Sequence, residues 1–237
     1  MKIHILGTRG EIEPSTPYHS HQSGVLIDEK ILFDIGEEEF LNHNPKYIFI
    51  THLHPDHAFF VRKTYQKKTS FSIPIYAPES FEDNPEILTV KEKTTIDSYT
   101  IHSIPTHHSK KVKSCSYLIN KNNQSILYTG DLIWINKQYH HLFDHVDLVI
   151  TEASFIRKNG RVKRDRKTGQ IYGHAGIPRL ISLFKDYTDY ILFLHFGEWF
   201  YKDVKHARKK LNQLGKKNNV NVLVGYDGLE IDITSLS

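Results

Sequence analysis

A disulfide framework and a membrane-spanning segment are both excluded by what this sequence lacks. The 237 residues include one cysteine, Cys115, so no disulfide can form within the chain, and we expect it to work in a reducing cytoplasm. No apolar run is long enough to cross a bilayer, so we expect no membrane partner. The first residues, Met1–Gly7, have the pattern of a strand ending in glycine, and we expect no signal peptide. A metal site would have to be built from histidine and carboxylates, because paired thiolates are absent.

The sequence also lacks a strong charge, an internal repeat and an interdomain linker. Its formal charge of +4 permits an anionic substrate but does not demand one. We therefore expect one domain covering residues 1–237. Short apolar runs recur among a few helical patterns, such as Pro178–Tyr187 and Lys202–Leu214, the latter with Gly215 as its predicted C-cap. This mixture predicts a layered α/β fold.

The densest group of chemically active side chains lies in one short loop. Three histidines and one aspartate fall within six residues, directly after the apolar run Tyr47–Ile50, which has the pattern of a buried strand. In an extended segment His52 and His54 point the same way, while Asp56 and His57 follow a proline that forces a turn. Imidazole and carboxylate groups bind zinc, manganese or iron, so this loop can offer two pairs of ligands to two adjacent metals. The alternative is a His-rich surface loop in a chain with 16 histidines.

Ligand-type residues also follow three further apolar strands. Asp131 comes after Ser125–Tyr128, Glu152 after Leu148–Ile150, and His195 after Tyr190–Leu194. Any one of them could be a buried polar residue with a structural role. Open α/β sheets place their sites at the carboxyl ends of strands, so the recurrence favours a shared cleft.

Together these motifs resemble the metallo-β-lactamase superfamily, and within it the ribonuclease Z-like branch that includes short phosphodiesterases. The resemblance implies a four-layer αβ/βα sandwich. It also implies that Asp34 supports the site by hydrogen bonds without binding metal. The segments that carry the resemblance are Leu6–Gly10, Leu32–Gly36, His52–His57, Thr106–Lys110, Tyr128–Asp131 and Phe193–Phe196.

The resemblance further implies two divalent metal ions, with zinc expected and manganese or iron as alternatives. One metal would be held by His52, His54, His108 and Asp131, and the other by Asp56, His57, Asp131 and His195. The third motif contains adjacent histidines, so His107 and His108 both remain candidates. We favour His108, because the His-Ser-Lys run that it begins resembles the short phosphodiesterases of this branch.

Two additional motifs indicate phosphodiester chemistry. Thr151–Phe155, which contains Glu152, resembles the His-Glu-Ala-Thr-Phe motif of ribonuclease Z, although Thr151 stands where that family has histidine. Gly173–Gly176 resembles a Gly-His-Ser-Thr motif whose histidine donates a proton or binds phosphate, although its hydroxyl residues are replaced by alanine and glycine. We therefore expect His174, Glu152 and Asp56 to serve catalysis, with a buried structural role as the alternative for His174.

The implied function is a dinuclear metal-dependent phosphodiesterase that hydrolyses a nucleic-acid or nucleotide-like phosphodiester through a metal-bridging hydroxide. The alternatives are hydrolysis of a lactone, a thioester or another small-molecule bond on the same fold, and a non-catalytic nucleic-acid-binding protein. The sequence does not distinguish a monomer from a homodimer.

One strongly basic segment falls outside these motifs. Arg157–Gln170 carries seven basic residues and almost no apolar ones, and its composition predicts a loop. Bacterial ribonuclease Z has a tRNA-clasping arm between the third and fourth motifs, but here His108 and Asp131 are only 23 residues apart, which leaves no room for it. We expect the basic segment either to bind RNA or DNA phosphates beside the cleft or to be an ordinary solvated surface loop.

Overall fold

The strands and helices form two large sheets with helices outside them, in a computed structural model that describes residues 1–65 and 71–236. The strands are β1 (Lys2–Gly7), β2 (Gly24–Ile27), β3 (Ile31–Phe33), β4 (Tyr47–Phe49), β5 (Ile75–Ala77), β6 (Leu88–Thr89), β7 (Lys93–Ile96), β8 (Tyr99–His107), β9 (Cys115–Lys121), β10 (Gln124–Tyr128), β11 (Trp134–Ile135), β12 (Leu148–Ala153), β13 (Arg161–Arg164), β14 (Ile171–His174), β15 (Tyr190–Phe196), β16 (Asn221–Val224) and β17 (Glu230–Asp232). The α-helices are α1 (Ile177–Phe184), α2 (Glu198–Tyr201) and α3 (Val204–Lys217). Short 3₁₀ helices cover Glu38–His43, Phe59–Val61, Lys137–Phe143 and Ile233–Ser235. None of the helices in the described part of the chain is long and apolar enough to cross a membrane.

Each sheet combines antiparallel and parallel strands. In the described residues the first sheet has the order β17-β1-β2-β3-β4-β5-β6, with parallel pairing from β3 to β6. The second has the order β11-β8-β9-β10-β12-β15-β16, with β7 also paired to β8 and with parallel pairing from β10 to β16. Parallel strands bring their carboxyl ends to one edge, so the loops after β4, β10, β12 and β15 meet there.

The core lies in three apolar layers, which follow from the two-residue period of the strands. Along β12, Leu148 and Ile150 face the space between the sheets, whereas Val149 packs beneath the outer helices. Leu180 of α1 and Leu211 of α3 are fully buried against that outer face. The outer face of the first sheet is covered by a third cluster that includes residues of its 3₁₀ helices. The predicted four-layer αβ/βα sandwich is confirmed.

One helix ends later than the sequence predicts. We expected Gly215 to cap the helix, but α3 continues to Lys217 and its C-cap is Asn218. Gly215 is buried inside the helix, and a Cβ built there would lie 2.7 Å from Val222 Cγ2. This glycine allows α3 to approach β16 closely, and a sequence pattern does not distinguish that role from a cap.

The structure of the basic segment, Arg157–Gln170, also differs from the predicted loop. Rather than forming a loop throughout, it contains β13, which pairs antiparallel with β14 in a two-stranded hairpin. The strand was missed because its residues are exposed on both faces, so the alternation of apolar and polar residues that predicts a strand is absent.

Candidate metal centre

Asp131 lies at the centre of a ring of buried imidazoles where the carboxyl ends of the strands meet. Its Oδ2 lies 3.5 Å from His57 Nε2, 3.8 Å from His108 Nε2 and 3.9 Å from His52 Nε2. Its Oδ1 lies 3.4 Å from His195 Nδ1. These separations are long for hydrogen bonds but close to the roughly 3.3 Å between neighbouring ligand atoms around a tetrahedral zinc ion.

Two groups of residues around Asp131 correspond to the two sets that the sequence predicted, and a third group, of His108, Asp131 and His174, overlaps both. Within each group, one ligand atom of every residue lies within 4.8 Å of those of the others. The first group is His52, His54 and His108, and the second is Asp56, His57, Asp131 and His195. His52 Nε2, His57 Nε2 and Asp131 Oδ1 are buried without a hydrogen-bond partner among the described residues. Buried polar atoms normally have partners, so this arrangement fits two divalent cations.

Burial and mutual interaction favour the protonation states that metal ligands require in the first group. Burial, together with the imidazoles of His57 and His108, holds the pKa of His52 well below its usual range. Burial lowers the pKa of His108 to about 3. Burial raises the pKa of Asp131, but His195 and His57 outweigh it and hold that pKa well below its usual range. The imidazoles of the first group are therefore neutral beside an ionised carboxylate, which suits a cation site. In the second group burial lowers the pKa of His57 and of His195, but the neighbouring carboxylates outweigh it and raise both.

Asp34 orients His57, one of the clustered imidazoles, through hydrogen bonds. Its Oδ2 accepts hydrogen bonds from His57 Nδ1 at 2.7 Å and from the Tyr128 hydroxyl at 2.8 Å. Its Oδ1 accepts from the Thr51 backbone amide at 2.7 Å. Asp34 and His195 both adopt left-handed backbone conformations, with φ of 58° and 51°. Such strain in non-glycine residues is typical of functional sites, where the surrounding structure holds the side chain in place.

The structure separates the two adjacent histidines of the third motif. His108 is buried, and its Nε2 lies 3.2 Å from His54 Nδ1. His107 lies outside the cluster, where its ring contacts that of Trp134 at a centroid distance of 4.6 Å and a tilt of 35°, and its Nε2 lies 3.0 Å from Asn136 Oδ1. This placement favours His108 as the ligand.

We predict that His108→Ala loses bound metal while His107→Ala retains it. Of these two histidines, His108 directs a ring nitrogen towards Asp131 and His54 and His107 does not. Removing His107 should therefore leave the cluster intact. Metal content per chain, measured on both purified variants beside the wild type, tests this. The opposite pattern would assign the ligand role to His107.

His174 and Glu152 form a hydrogen-bonded pair at the edge of the cluster. His174 Nδ1 lies 2.9 Å from Glu152 Oε2, and Glu152 Oε1 accepts from the Leu132 backbone amide at 2.9 Å. Burial lowers the pKa of His174, but Glu152 and Asp131 outweigh it and raise that pKa to about 9. An imidazolium with one nitrogen held by a carboxylate can donate from its other nitrogen to an anionic group.

A cavity of about 670 Å³ opens above the cluster, and its walls include Trp199, which no motif singled out. Phe155 and Trp199 line it, and the indole Nε1 of Trp199 donates to Ala153 O at 2.8 Å, which fixes that ring. Gly10 also lines it, and a Cβ built there would lie 2.9 Å from Cε1 of His195. Gly10 belongs to the opening motif of the sequence, but that motif does not reveal that the glycine makes room for a site imidazole.

Comparison with known proteins agrees with the fold. A family model described as the beta-lactamase superfamily domain matches residues 40–196. No curated protein sequence matches the chain.

Solved structures of similar fold cover almost the whole chain at low sequence identity. The metallo-beta-lactamase fold protein YhfI from Bacillus subtilis is 17% identical with a TM-score of 0.71, covering 98% of this chain and 99% of that one. Human tRNase Z, short form, is 19% identical with a TM-score of 0.66, covering 98% of this chain and 99% of that one. A diphosphatase from the PhnP family is 13% identical with a TM-score of 0.66, covering 97% of this chain and 96% of that one. At these identities the similarity shows a common fold.

The chain belongs to the beta-lactamase superfamily, since the family model matches well over half of its length. The resemblance drawn from the motifs is therefore confirmed at the level of the superfamily. The fold is that of metallo-β-lactamase hydrolases, and its histidine and aspartate cluster has the composition of a divalent metal site.

Proposed function

We propose that this member of the superfamily is a dinuclear metal-dependent phosphodiesterase. The observation that carries the proposal is the His174–Glu152 pair beside Asp131. His174 Nδ1 lies 2.9 Å from Glu152 Oε2 and 3.7 Å from Asp131 Oδ2, and its ring lines the cavity. A cation on the wall of such a cavity suits a phosphoryl group, whose charge increases as the nucleophile attacks.

The proposed metal ligands are those of the two groups. His52, His54 and His108 would hold one ion, while Asp56, His57 and His195 would hold the other, with Asp131 shared between them. When bound, two divalent ions supply a nucleophilic water near neutral pH and neutralise charge on phosphoryl oxygens. Zinc suits a site of imidazole and carboxylate ligands, and manganese or iron are the alternatives.

The chain's own residues position and protonate the substrate. Glu152 holds Nδ1 of His174, so Nε2 is the nitrogen that can donate a hydrogen bond to a phosphoryl oxygen or a proton to the leaving oxygen. Asp56 Oδ2 lies 2.8 Å from His195 Nε2, and its carboxylate also lines the cavity, so it can orient both the ligand set and the attacking group. Phe155 and Trp199 add aromatic surface to the wall of this cavity.

Two of the similar structures support phosphate chemistry by name, since one is a tRNase and another a diphosphatase. The same fold also serves other reactions, so the site residues must carry the argument. A lactone or thioester develops negative charge on one oxygen in its transition state, whereas a phosphodiester carries it on two non-bridging oxygens. A cation beside the metal ligands therefore has the larger role for the phosphodiester. The His174–Glu152 pair therefore favours the phosphodiester over those alternatives.

A substrate panel tests this proposal. Metal-loaded enzyme would be assayed with a chromogenic phosphodiester, cyclic nucleotides, a short RNA, a lactone and a thioester. We expect kcat/KM for at least one phosphodiester to exceed that for the lactone and the thioester by roughly a hundredfold or more, because His174 acts on the phosphoryl transition state. Faster hydrolysis of the lactone or thioester would contradict the proposal, and binding of RNA without turnover of any substrate would favour a non-catalytic nucleic-acid-binding protein.

A further inference from the structure

The hairpin of β13 and β14 directs one of its faces towards the candidate metal centre. Directly paired residues of antiparallel strands lie on the same face, and here Arg161 pairs with His174 while Lys163 pairs with Tyr172. His174 faces Glu152 and Asp131, so Arg161, Lys163 and Tyr172 share the face on which the catalytic imidazole lies. Val162 lies on the opposite face.

The hairpin is held against the loop that carries His108. The Gly173 amide donates to His108 O at 2.6 Å, and Gly173 O lies 3.0 Å from His108 Nδ1. Lys110 Nζ and Asp165 Oδ2 are 3.0 Å apart, which ties the hairpin turn to the same loop. The distance from Arg161 and Lys163 to the site is therefore set by the pairing register and not by a free loop.

A side cavity of about 260 Å³ lies between the hairpin and this loop. Its walls include His54, His108 and His174 from the centre, together with the cations Arg161, Lys163 and Lys111. Among the residues that the structure describes, these three cations form no ion pair, whereas the neighbouring Lys110 is paired with Asp165. Three positive charges without an ion-pair partner therefore lie beside His174, where we propose that the scissile phosphate binds.

We propose that this face of the hairpin, formed by Arg161 and Lys163 with Lys111 across the side cavity, binds the phosphates of a single-stranded polynucleotide adjacent to the phosphate at His174. This inference rests on the proposed function and assigns its substrate class. Unpaired cations in a row hold a phosphate backbone without reading its sequence.

A single strand suits the shape of the site better than a duplex. The proposed metal ligands other than His54 are buried, so the scissile phosphate must enter the main cavity, which a separate strand can do with its bases splayed. Tyr172 lies on the same face and lines the side cavity, so an unpaired base that enters this cavity can contact an aromatic ring.

A matched pair of double variants tests the face. The test variant is Arg161→Gln with Lys163→Gln, and the control is Arg166→Gln with Lys167→Gln in the exposed hairpin turn. Each removes one arginine and one lysine, so the loss of net charge is identical. Binding of a fluorescently labelled oligouridylate to the metal-loaded enzyme would be followed by anisotropy over a series of salt concentrations, and hydrolysis of the same oligonucleotide and of a chromogenic phosphodiester would be measured beside it.

We expect the test variant to weaken oligouridylate binding by roughly tenfold. The negative slope of log K against log salt should become shallower by about 1.4, the value for two phosphate contacts to a single strand. The control should change binding by less than about twofold, because its charges lie away from the site. Equal losses in both variants, or no loss in either, would overturn the inference while leaving turnover of small phosphodiesters as support for the proposed function. Binding that follows the predicted pattern without hydrolysis of any phosphodiester would instead refute the proposed function and leave the hairpin as a binding surface.

Discussion

Asp131→Ala abolishes both phosphodiester turnover and dinuclear metal binding, with an expected fall in kcat/KM of more than about a thousandfold. The physical reason is the central position of this carboxylate, whose two oxygens lie 3.4 to 3.9 Å from four ring nitrogens of the proposed ligand set. Removing it leaves each group without its shared ligand. Metal content and steady-state kinetics on the purified variant measure both effects.

Thermal unfolding separates this effect from misfolding. Asp131 lies 3.5 Å from His57 Nε2 and 3.4 Å from His195 Nδ1, so the metal-free variant should unfold at a lower Tm than the metal-free wild type, but still in one cooperative transition. Ligand binding to the native state stabilises by about 2.7 kcal/mol at a hundredfold excess over Kd, so added zinc should raise Tm of the wild type and not of the variant. Asp186→Ala, at an exposed position, is the matched control and should behave as the wild type in every assay. Full activity in Asp131→Ala would refute the assignment of the shared ligand.

His174→Ala retains metal but loses about a hundred- to ten-thousandfold in kcat, which is the usual contribution of a general acid. His174 also lies close enough to His108 and Asp131 to share a cation with them, but its Nδ1 is committed to Glu152. Its removal should therefore affect the phosphoryl transition state and not the metal content.

A series of aryl phosphodiesters distinguishes a proton donor from a structural residue. The loss in His174→Ala should be largest for poor leaving groups and smallest for a nitrophenyl ester, because a good leaving group needs little protonation. A purely structural role would lower the rate equally across the series. Loss of metal from this variant would show that His174 is a ligand or a structural support, contrary to the proposed mechanism.

The site residues could be predicted best where a ligand-type residue comes at the end of an apolar strand. His52, Asp131 and His195 each come at or directly after the end of an apolar strand, and parallel pairing brings those ends to one edge of the fold. The local order of residue types therefore predicted which side chains meet in the cleft. The choice between His107 and His108 required the structure, because β8 extends to His107 and only the next residue turns into the cluster.

The parts of the molecule that the sequence predicted poorly depend on long-range packing. In the sequence Gly215 has the pattern of a helix C-cap. Its close approach to Val222 is visible only in the folded structure. Trp199 belongs to a four-residue helix with no motif of its own, yet it lines the cavity. The pairing of Arg161 with His174 could not be predicted from composition, since β13 is exposed and β14 is half-buried along its whole length, which leaves no period-two pattern.

Titration of metal into the metal-free enzyme, with turnover of a chromogenic phosphodiester as the readout, tests the dinuclear phosphodiesterase most directly. The two ligand groups around Asp131 predict that activity rises with added zinc or manganese and reaches its plateau at roughly two equivalents per chain. Full turnover in the absence of metal, or a plateau at a single equivalent, would contradict the shared-carboxylate site on which the proposed function rests.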